Sequence, residues 1–219
     1  MVEQLNQTIR RTLLKRFQHG QPVASWDHMP RWYIRMRLAR QLGAWDSAPR
    51  RAIRAEIGRV GGTVLEVAVG PGIEYYGMQQ AGLKVDYTGV DVTPAMVELC
   101  KQRFPQATFL QADVKHLPFK DNQFDLVMAK DLLEHLDGYQ APLSEMYRVA
   151  RREVLVYFFL PLAAGQTVLA THPESGFLYN RYSAADVLSY ARRLGAASVD
   201  VTTIQDGATW GDLVRIQKG

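Results

Sequence analysis

A single cysteine, Cys100, occurs among the 219 residues. That excludes an internal disulfide and favours a reduced, partly buried thiol on a predicted helix. No apolar stretch reaches about 18 residues, so a membrane-spanning helix is not expected. The N-terminus also lacks the hydrophobic region of a signal peptide, and a cytoplasmic protein is the expectation. The His and Cys residues show no zinc spacing and no acidic cluster suits magnesium, so no metal is expected. Internal repeats and low-complexity tracts are missing too. Two nucleotide-binding signatures fail. The dinucleotide fingerprint needs a third glycine three places after the second, where Tyr75 stands, and no Gly-Lys-Ser/Thr follows to make a P-loop.

What is present is a short β-branched run that meets an acidic residue and breaks into a Gly-Pro-Gly turn, TVLEVAVGPG over residues 63–72. This pattern predicts a buried parallel strand feeding a ligand-binding loop. Glycine at 70 and 72 lets the backbone come within contact distance of a ligand. A helix begins near Ile73, and its free amides suit an anionic group such as a carboxylate. A second strand is predicted over residues 83–90, ending on Asp91. A carboxylate there can accept hydrogen bonds from both hydroxyls of a ribose. The competing role, capping the next helix, is better served by Thr93-Pro94. A third strand over 107–111 precedes Asp113, placed to accept from the exocyclic amine of an adenine. A fourth over 124–129 ends in polar Lys130 and Asp131.

Taken in order, Glu66-x-Ala68-x-Gly70-x-Gly72, Asp91, QADVKHLPF around Asp113 and FDLVMAKDLLEHL resemble the class I (Rossmann-like) S-adenosylmethionine-dependent methyltransferases, in their small-molecule, type 11-like branch. The resemblance covers residues 62–160 well and the C-terminal part more loosely. It implies an α/β fold with a seven-stranded, mostly parallel sheet, helices on both faces and an antiparallel C-terminal strand. It also implies S-adenosyl-L-methionine as cofactor and S-adenosyl-L-homocysteine as product. Glu66 would order the loop near the methionine amino group, and Gly70 and Gly72 would line the methionine and ribose. Asp91 would hold the ribose hydroxyls, with Val92 packed on the adenine. Asp113 would bind the adenine amine, the Val114 amide a ring nitrogen, and the Lys130 carbonyl the ammonium. Ala68 departs from the family's usual glycine, and its methyl group is tolerable if φ there is negative.

Charge is unevenly spread. Up to Val60 twelve Lys/Arg face four Asp/Glu, a net +8, while the remainder carries −4. The asymmetry sets a boundary near Gly61-Gly62, between a helical N-terminal lid segment (1–60) and the methyltransferase core (61–219). Three helical runs are predicted before the boundary, the first with Ile9, Leu13, Leu14 and Phe17 on one stripe. Trp26, Trp32, Tyr33 and Arg37 are candidates to form part of a lid over the substrate. A solvated basic face, or a stripe that is simply core, is the alternative. An apolar content of 47% is enough to bury one α/β core with this addition.

Downstream, a helix over 141–150 and a fifth strand over 153–160, ended by Pro161, lead into a long connection, residues 163–183. It leaves from a strand's carboxyl edge and carries His172, Tyr179, Asn180, Arg181 and Tyr182, which makes it the substrate-recognition candidate. A helix over 184–194 and a closing antiparallel pair, 198–204 and 211–217, finish the chain. Aligning an acceptor's lone pair opposite a sulfonium leaving group is the main demand of the chemistry, with proton removal where needed. For an oxygen nucleophile His135 is a candidate base and Asp131, four residues earlier, its partner on one helix face. A packing role for His135 is the alternative, with His172 a second candidate base. The fourth strand ends in Ala-Lys-Asp-Leu and not in the Asn/Asp-Pro-Pro-aromatic tetrad suited to nucleic-acid amines, and no cysteine sits at a strand end for covalent cytosine chemistry. The expectation is methyl transfer to an oxygen or nitrogen of a small metabolite, with nucleic acid disfavoured. The alternatives are an enzyme acting on RNA or a phospholipid head group through the basic helices, for which a membrane surface would be a partner, and a cofactor-binding protein without catalysis.

Overall fold

In a computed structural model, residues 45–171 and 178–219 are described. Thirteen elements follow in chain order: α1 (Ala48–Val60), β1 (Thr63–Val67), α2 (Ile73–Gln80), β2 (Asp86–Asp91), α3 (Pro94–Arg103), β3 (Thr108–Gln111), β4 (Phe124–Lys130), a 3-10 turn (Leu133–His135), α4 (Gln140–Val149), β5 (Ala150–Phe158), α5 (Ala184–Arg193), β6 (Ala196–Asp206) and β7 (Thr209–Lys218). The strands form one seven-stranded sheet in the order β3-β2-β1-β4-β5-β7-β6. Strands β1 to β5 run parallel, and β7 joins β5 and β6 antiparallel. The expected seven-stranded mixed sheet is therefore present.

Burial follows from the strand alternation. Leu65 and Val67 of β1, Val127 and Ala129 of β4 and Val154 and Val156 of β5 point to one face, against Leu143 and Met146 of α4 and Val187 and Ala191 of α5. Val64, Leu126, Met128 and Leu155 point to the other, against Ile53 and Ile57 of α1, Met78 of α2 and Val97 and Cys100 of α3. Because the central strands are covered on both sides, their sequences read as continuous apolar runs and not as an alternation. Each fully buried aliphatic side chain contributes about 1.5–3 kcal/mol. This two-sided burial is what fixes the sheet and, with it, the positions of the strand ends.

The order reverses between β1 and β4, whose neighbours β2 and β5 lead away in opposite directions. Open α/β sheets bind ligands at such a point, outside the carboxyl ends of the strands. Strand β2 begins three residues later than its apolar pattern suggests. The Leu83 amide instead donates to the Met78 carbonyl at 3.0 Å, closing the end of α2. Among the described residues no helix is long and apolar enough to cross a membrane.

The described residues of the long connection after β5 are not an irregular loop. Val168 and Arg181 exchange backbone hydrogen bonds of 2.8 and 2.9 Å, the Tyr179 amide donates to Ala170 at 2.8 Å, and Thr171 bridges Leu178. These residues make an antiparallel arm that returns to the sheet edge. Asn180, fully buried, pins it there: its Nδ2 donates to the Leu136 carbonyl at 2.7 Å and its backbone amide to the Glu134 carbonyl at 2.9 Å.

Candidate active site

The glycine turn after β1 is built by left-handed backbone. Gly70 (φ 52°) and Gly72 (φ 76°) take this conformation at little steric cost. Their missing side chains serve different ends. A Cβ on Gly70 would meet nothing within 4 Å among the described residues, so on their side this backbone lies open to an approaching ligand. A Cβ on Gly72 would stand 2.7 Å from Phe104 and 3.3 Å from Cys100 Sγ, so glycine here lets the loop settle on α3. Cys100 donates from below to the Gly70 carbonyl at 3.2 Å, and its burial pushes the thiol up to about 12, leaving it inert as a nucleophile. Tyr75, where a dinucleotide fold would have glycine, stacks on Tyr87 with ring centroids 4.5 Å apart. An aromatic packing thus replaces the close helix–strand contact of that fold.

Ala68 corrects an expectation. Its φ is +56°, not negative, so an L-residue holds the left-handed region where glycine is usual. The methyl group costs about 1 kcal/mol there. Asp131, at the end of β4, is a second such residue, with φ 54°. Both sit at the carboxyl edge, where sparsely populated backbone is commonly found in binding sites.

Asp91 also differs from its reading. The carboxylate accepts the Gly70 amide on one oxygen at 2.8 Å and the Thr93 amide on the other at 2.9 Å. It therefore ties the glycine loop to the start of α3. Thr93, expected to cap that helix, makes no side-chain cap, and its buried hydroxyl has no hydrogen-bond partner among the described residues. The carboxylate takes the amide of Thr93 itself, one of the free N–H groups at the start of the helix. A carboxylate has about four acceptor directions, so this tie is compatible with a ligand hydroxyl. Val92 beside it is 48% exposed, and exposed Asp113 accepts the Lys115 amide at 2.9 Å, ahead of buried Val114.

Between the ends of β1 and β4 lies a buried ionic cluster that the sequence did not disclose. Arg50 of α1 pairs with Glu74 in the first turn of α2, and Lys130 pairs with Asp131. Glu66 accepts the Tyr87 hydroxyl at 2.5 Å. Burial, reinforced by neighbouring Glu74, holds the Glu66 carboxyl well above the usual range. Burial also raises Glu74, opposed by Arg50 and Lys130. The cluster is short of donors, since Glu74 Oε2 and Asp131 Oδ1 are buried without a partner among the described residues. A positively charged group bearing N–H donors would satisfy both.

Beyond β4 the spacing argument for Asp131 and His135 fails. Left-handed Asp131 and the three-residue 3-10 turn replace the α-helical turn that would have put both on one face. His135 Nδ1 instead lies 2.7 Å from the Leu178 carbonyl on the arm. A carbonyl only accepts, so Nδ1 carries the proton, and in the neutral ring Nε2 is the basic nitrogen. His135 packs on Phe159 (5.3 Å between centroids) and Tyr179 (5.2 Å), which lie 5.5 Å from each other. Fully buried Glu134 anchors this corner. Its Oε1 accepts the Phe159 amide at 2.6 Å, and burial pushes its carboxyl up to about 8.

The structure thus brings Glu66, Ala68, Gly70, Gly72, Asp91, Val92, Asp113, Val114, Lys130, Asp131, His135 and Tyr179 to one edge. Arg181 points elsewhere: its Nε donates to the Pro161 carbonyl at 2.6 Å on the exposed side of the arm. Trp26, Trp32, Tyr33, Arg37 and His172 lie outside the described residues. Arg50, Glu74, Tyr87, Glu134 and Phe159 are additions. Their only sequence signal is an acidic residue opening a helix at Glu74 and a Glu next to His135.

Residues 65–158 match a family model described as methyltransferase domain. Over 93 residues the chain is 33% identical to a phthiotriol/phenolphthiotriol dimycocerosates methyltransferase of Mycobacterium tuberculosis, covering 42% of this chain and 34% of that protein. Over 91 residues it is 35% identical to a demethylmenaquinone methyltransferase of Renibacterium salmoninarum, covering 42% and 38%. The chain thus matches little more than a third of the length of these curated relatives. Among solved structures, 1,6-didemethyltoxoflavin-N1-methyltransferase of Burkholderia thailandensis, with bound 1,6-didemethyltoxoflavin and S-adenosylhomocysteine, superposes with a TM-score of 0.60 at 19% identity, covering 80% of each chain. Residues 65–158 thus match a methyltransferase domain, and the described residues have the fold of the class I S-adenosylmethionine-dependent methyltransferases.

Proposed function

We propose that the protein transfers a methyl group from S-adenosyl-L-methionine to an oxygen or nitrogen of a small metabolite. The observation that carries this reading is the meeting of three fitting features at one strand edge. The Gly70 backbone is open for close approach, the carboxylate oxygens of Glu74 and Asp131 lack donors, and Val92 offers an uncovered apolar surface. A ribose, an ammonium and an adenine need these in turn. When bound, the cofactor supplies a methyl group on a positively charged sulfur, open to attack by a lone pair.

The chain's own residues then have definable tasks. Asp91 holds the loop and receives the ribose hydroxyls, while Asp113 and the Val114 amide fix the adenine edge. Glu66, Glu74 and Asp131 surround the ammonium, and Lys130 keeps Asp131 in place. His135 Nε2 takes a proton from the acceptor, and the arm with Tyr179 keeps water from the reacting atoms. Relatives that methylate a demethylmenaquinone and a didemethyltoxoflavin support a small acceptor.

Titration with S-adenosylhomocysteine tests the reading. Charge-assisted hydrogen bonds of this kind are worth about 1.5–3 kcal/mol, so Asp91→Ala should weaken binding by roughly ten- to a hundredfold. Asp113→Ala should weaken it less, its carboxylate being exposed. Unchanged affinity in both variants would show that the site is misassigned.

A further inference from the structure

The start of α4, the outer side of the arm and α5 together line a cavity of about 430 Å³, a size that suits a small ligand. None of the residues assigned to the cofactor lines it. Tyr139, the residue before α4, is 4% exposed and held edge-on by Tyr182 (4.9 Å between centroids) and Tyr190 (5.7 Å). Its hydroxyl has no hydrogen-bond partner among the described residues, an uncommon state for a buried polar group. Burial raises the phenol, Asp186 raises it further and Arg193 opposes this, so both charges lie near the hydroxyl. Tyr139 therefore keeps its proton and has a donor to offer.

Asp186, Ser189 and Arg193 follow at i, i+3 and i+7, one face of α5, and all three line the cavity. Their ends are two turns apart, about 10 Å along the axis. Arg193 leans back toward the helix N-terminus, its Nη1 donating to Ser189 Oγ at 2.8 Å and its guanidinium 5.3 Å from the Tyr190 centroid. That leaves about 5 Å along the axis between the guanidinium and the level of Asp186. Both side chains are exposed, and neither has an ionic partner among the described residues, whereas Asp137 in the same cavity is neutralised by Lys115 at 2.6 Å. Two unpaired charges of opposite sign thus face one cavity, with an unsatisfied buried hydroxyl beside them.

We infer that this cavity is a second ligand site, made for a small zwitterion with its ammonium at Asp186 and its anionic group, a carboxylate or a phosphate, at Arg193 and the Tyr139 hydroxyl. A short apolar spacer lies against Leu169, a leucine 68% exposed on the arm. The planar guanidinium fork takes either anion. A ligand with one charge alone is disfavoured, because an amine meets Arg193 and an acid meets Asp186. The site is separate from the sheet's carboxyl edge, and the inference does not depend on the methyl transfer proposed above.

The test titrates 4-aminobutyrate and 2-aminoethyl phosphate into the full chain and follows backbone amide shifts by NMR. Their spacers cover the gap between the two charges, which the single methylene of glycine does not. Saturable shifts should appear in residues 137–140 and 186–193 and persist when S-adenosylhomocysteine is added. Glycine, butyrate and butylamine should each bind about three- to fivefold more weakly than 4-aminobutyrate, as fits ion pairs partly open to water. Asp186→Asn should lower 4-aminobutyrate to the level of butyrate, and Arg193→Gln to that of butylamine. Both positions are exposed, so their replacement leaves the core intact. Tyr139→Phe should weaken either zwitterion about threefold while keeping the ring packing. Butyrate or butylamine binding as tightly as 4-aminobutyrate, or an affinity indifferent to both charge variants, overturns the zwitterion assignment. Shifts confined to other residues, or no saturable shift with either probe at millimolar concentration, overturns the site. Displacement of the probes by S-adenosylhomocysteine overturns its separation from the cofactor edge.

Discussion

At the residue scale, the most informative position is Ala68, which holds a left-handed backbone without being glycine. The loop it belongs to is fixed on both sides: the Val69 amide donates to Val90 at 2.9 Å and the Gly70 amide to Asp91 at 2.8 Å. The strain is thus imposed by neighbours and cannot relax locally. Replacing Ala68 by glycine should raise stability by about 0.5–1 kcal/mol, because the relieved steric cost exceeds the added freedom of the unfolded chain. Denaturant titration reads the change, and a loss of stability would mean that φ at this residue is negative in solution. S-adenosylhomocysteine affinity should hardly move, since the backbone path is the same.

At the scale of elements, the arm is held by a buried side chain as well as by its own ladder. Asn180 bonds the turn after β4 through its amide nitrogen, and its Oδ1 accepts the Ala170 amide at 3.2 Å. Asn180→Ala leaves buried backbone groups without partners, at about 1–3 kcal/mol. Because the cost falls on the arm and not on the sheet, proteolysis should cut within residues 164–182 while global unfolding shifts little. Cleavage unaltered in that stretch would mean that the arm is anchored elsewhere. The sequence offered the right residues here but not their arrangement. The bridges of the arm are isolated ones, sustained by contacts with a turn some 40 residues away, so no period-two pattern announces them. The 3-10 turn after β4 was obscured for the same reason: DLLEH reads as helix until the left-handed Asp131 breaks it.

At the scale of the molecule, pH acts in opposite senses at the two edges of the sheet. At the amino edge, burial raises Asp125, but hydrogen bonds from Thr63 and Arg151 outweigh it and hold the carboxyl below its ordinary range. Its stabilisation is present above about pH 4 and is lost as pH falls through the depressed value. At the carboxyl edge, burial raises Glu134 to about 8. That contribution is complete below about pH 4.3 and is lost as pH rises towards 8, because the folded state resists ionisation. Glu66 and Glu74, raised chiefly by burial, act in the same direction. Stability should therefore peak at mildly acidic pH. In a urea series from pH 4 to pH 9, Glu134→Gln should flatten the alkaline slope and leave the acid slope intact. An alkaline limb identical to that of the wild type would show that Glu134 ionises normally.

The sequence alone determined the sheet and the composition of its carboxyl edge. Two-sided burial writes β1, β4 and β5 as apolar runs, and ligand-facing turns demand glycines and strand-end acids, features that are local and so visible in one dimension. Tertiary structure decided which charges and which rings meet. Arg50 reaches Glu74 only because α1 and α2 share a face of the sheet, and His135, Phe159 and Tyr179 converge only because the arm folds back. Such contacts join residues tens of positions apart, and no local periodicity encodes them.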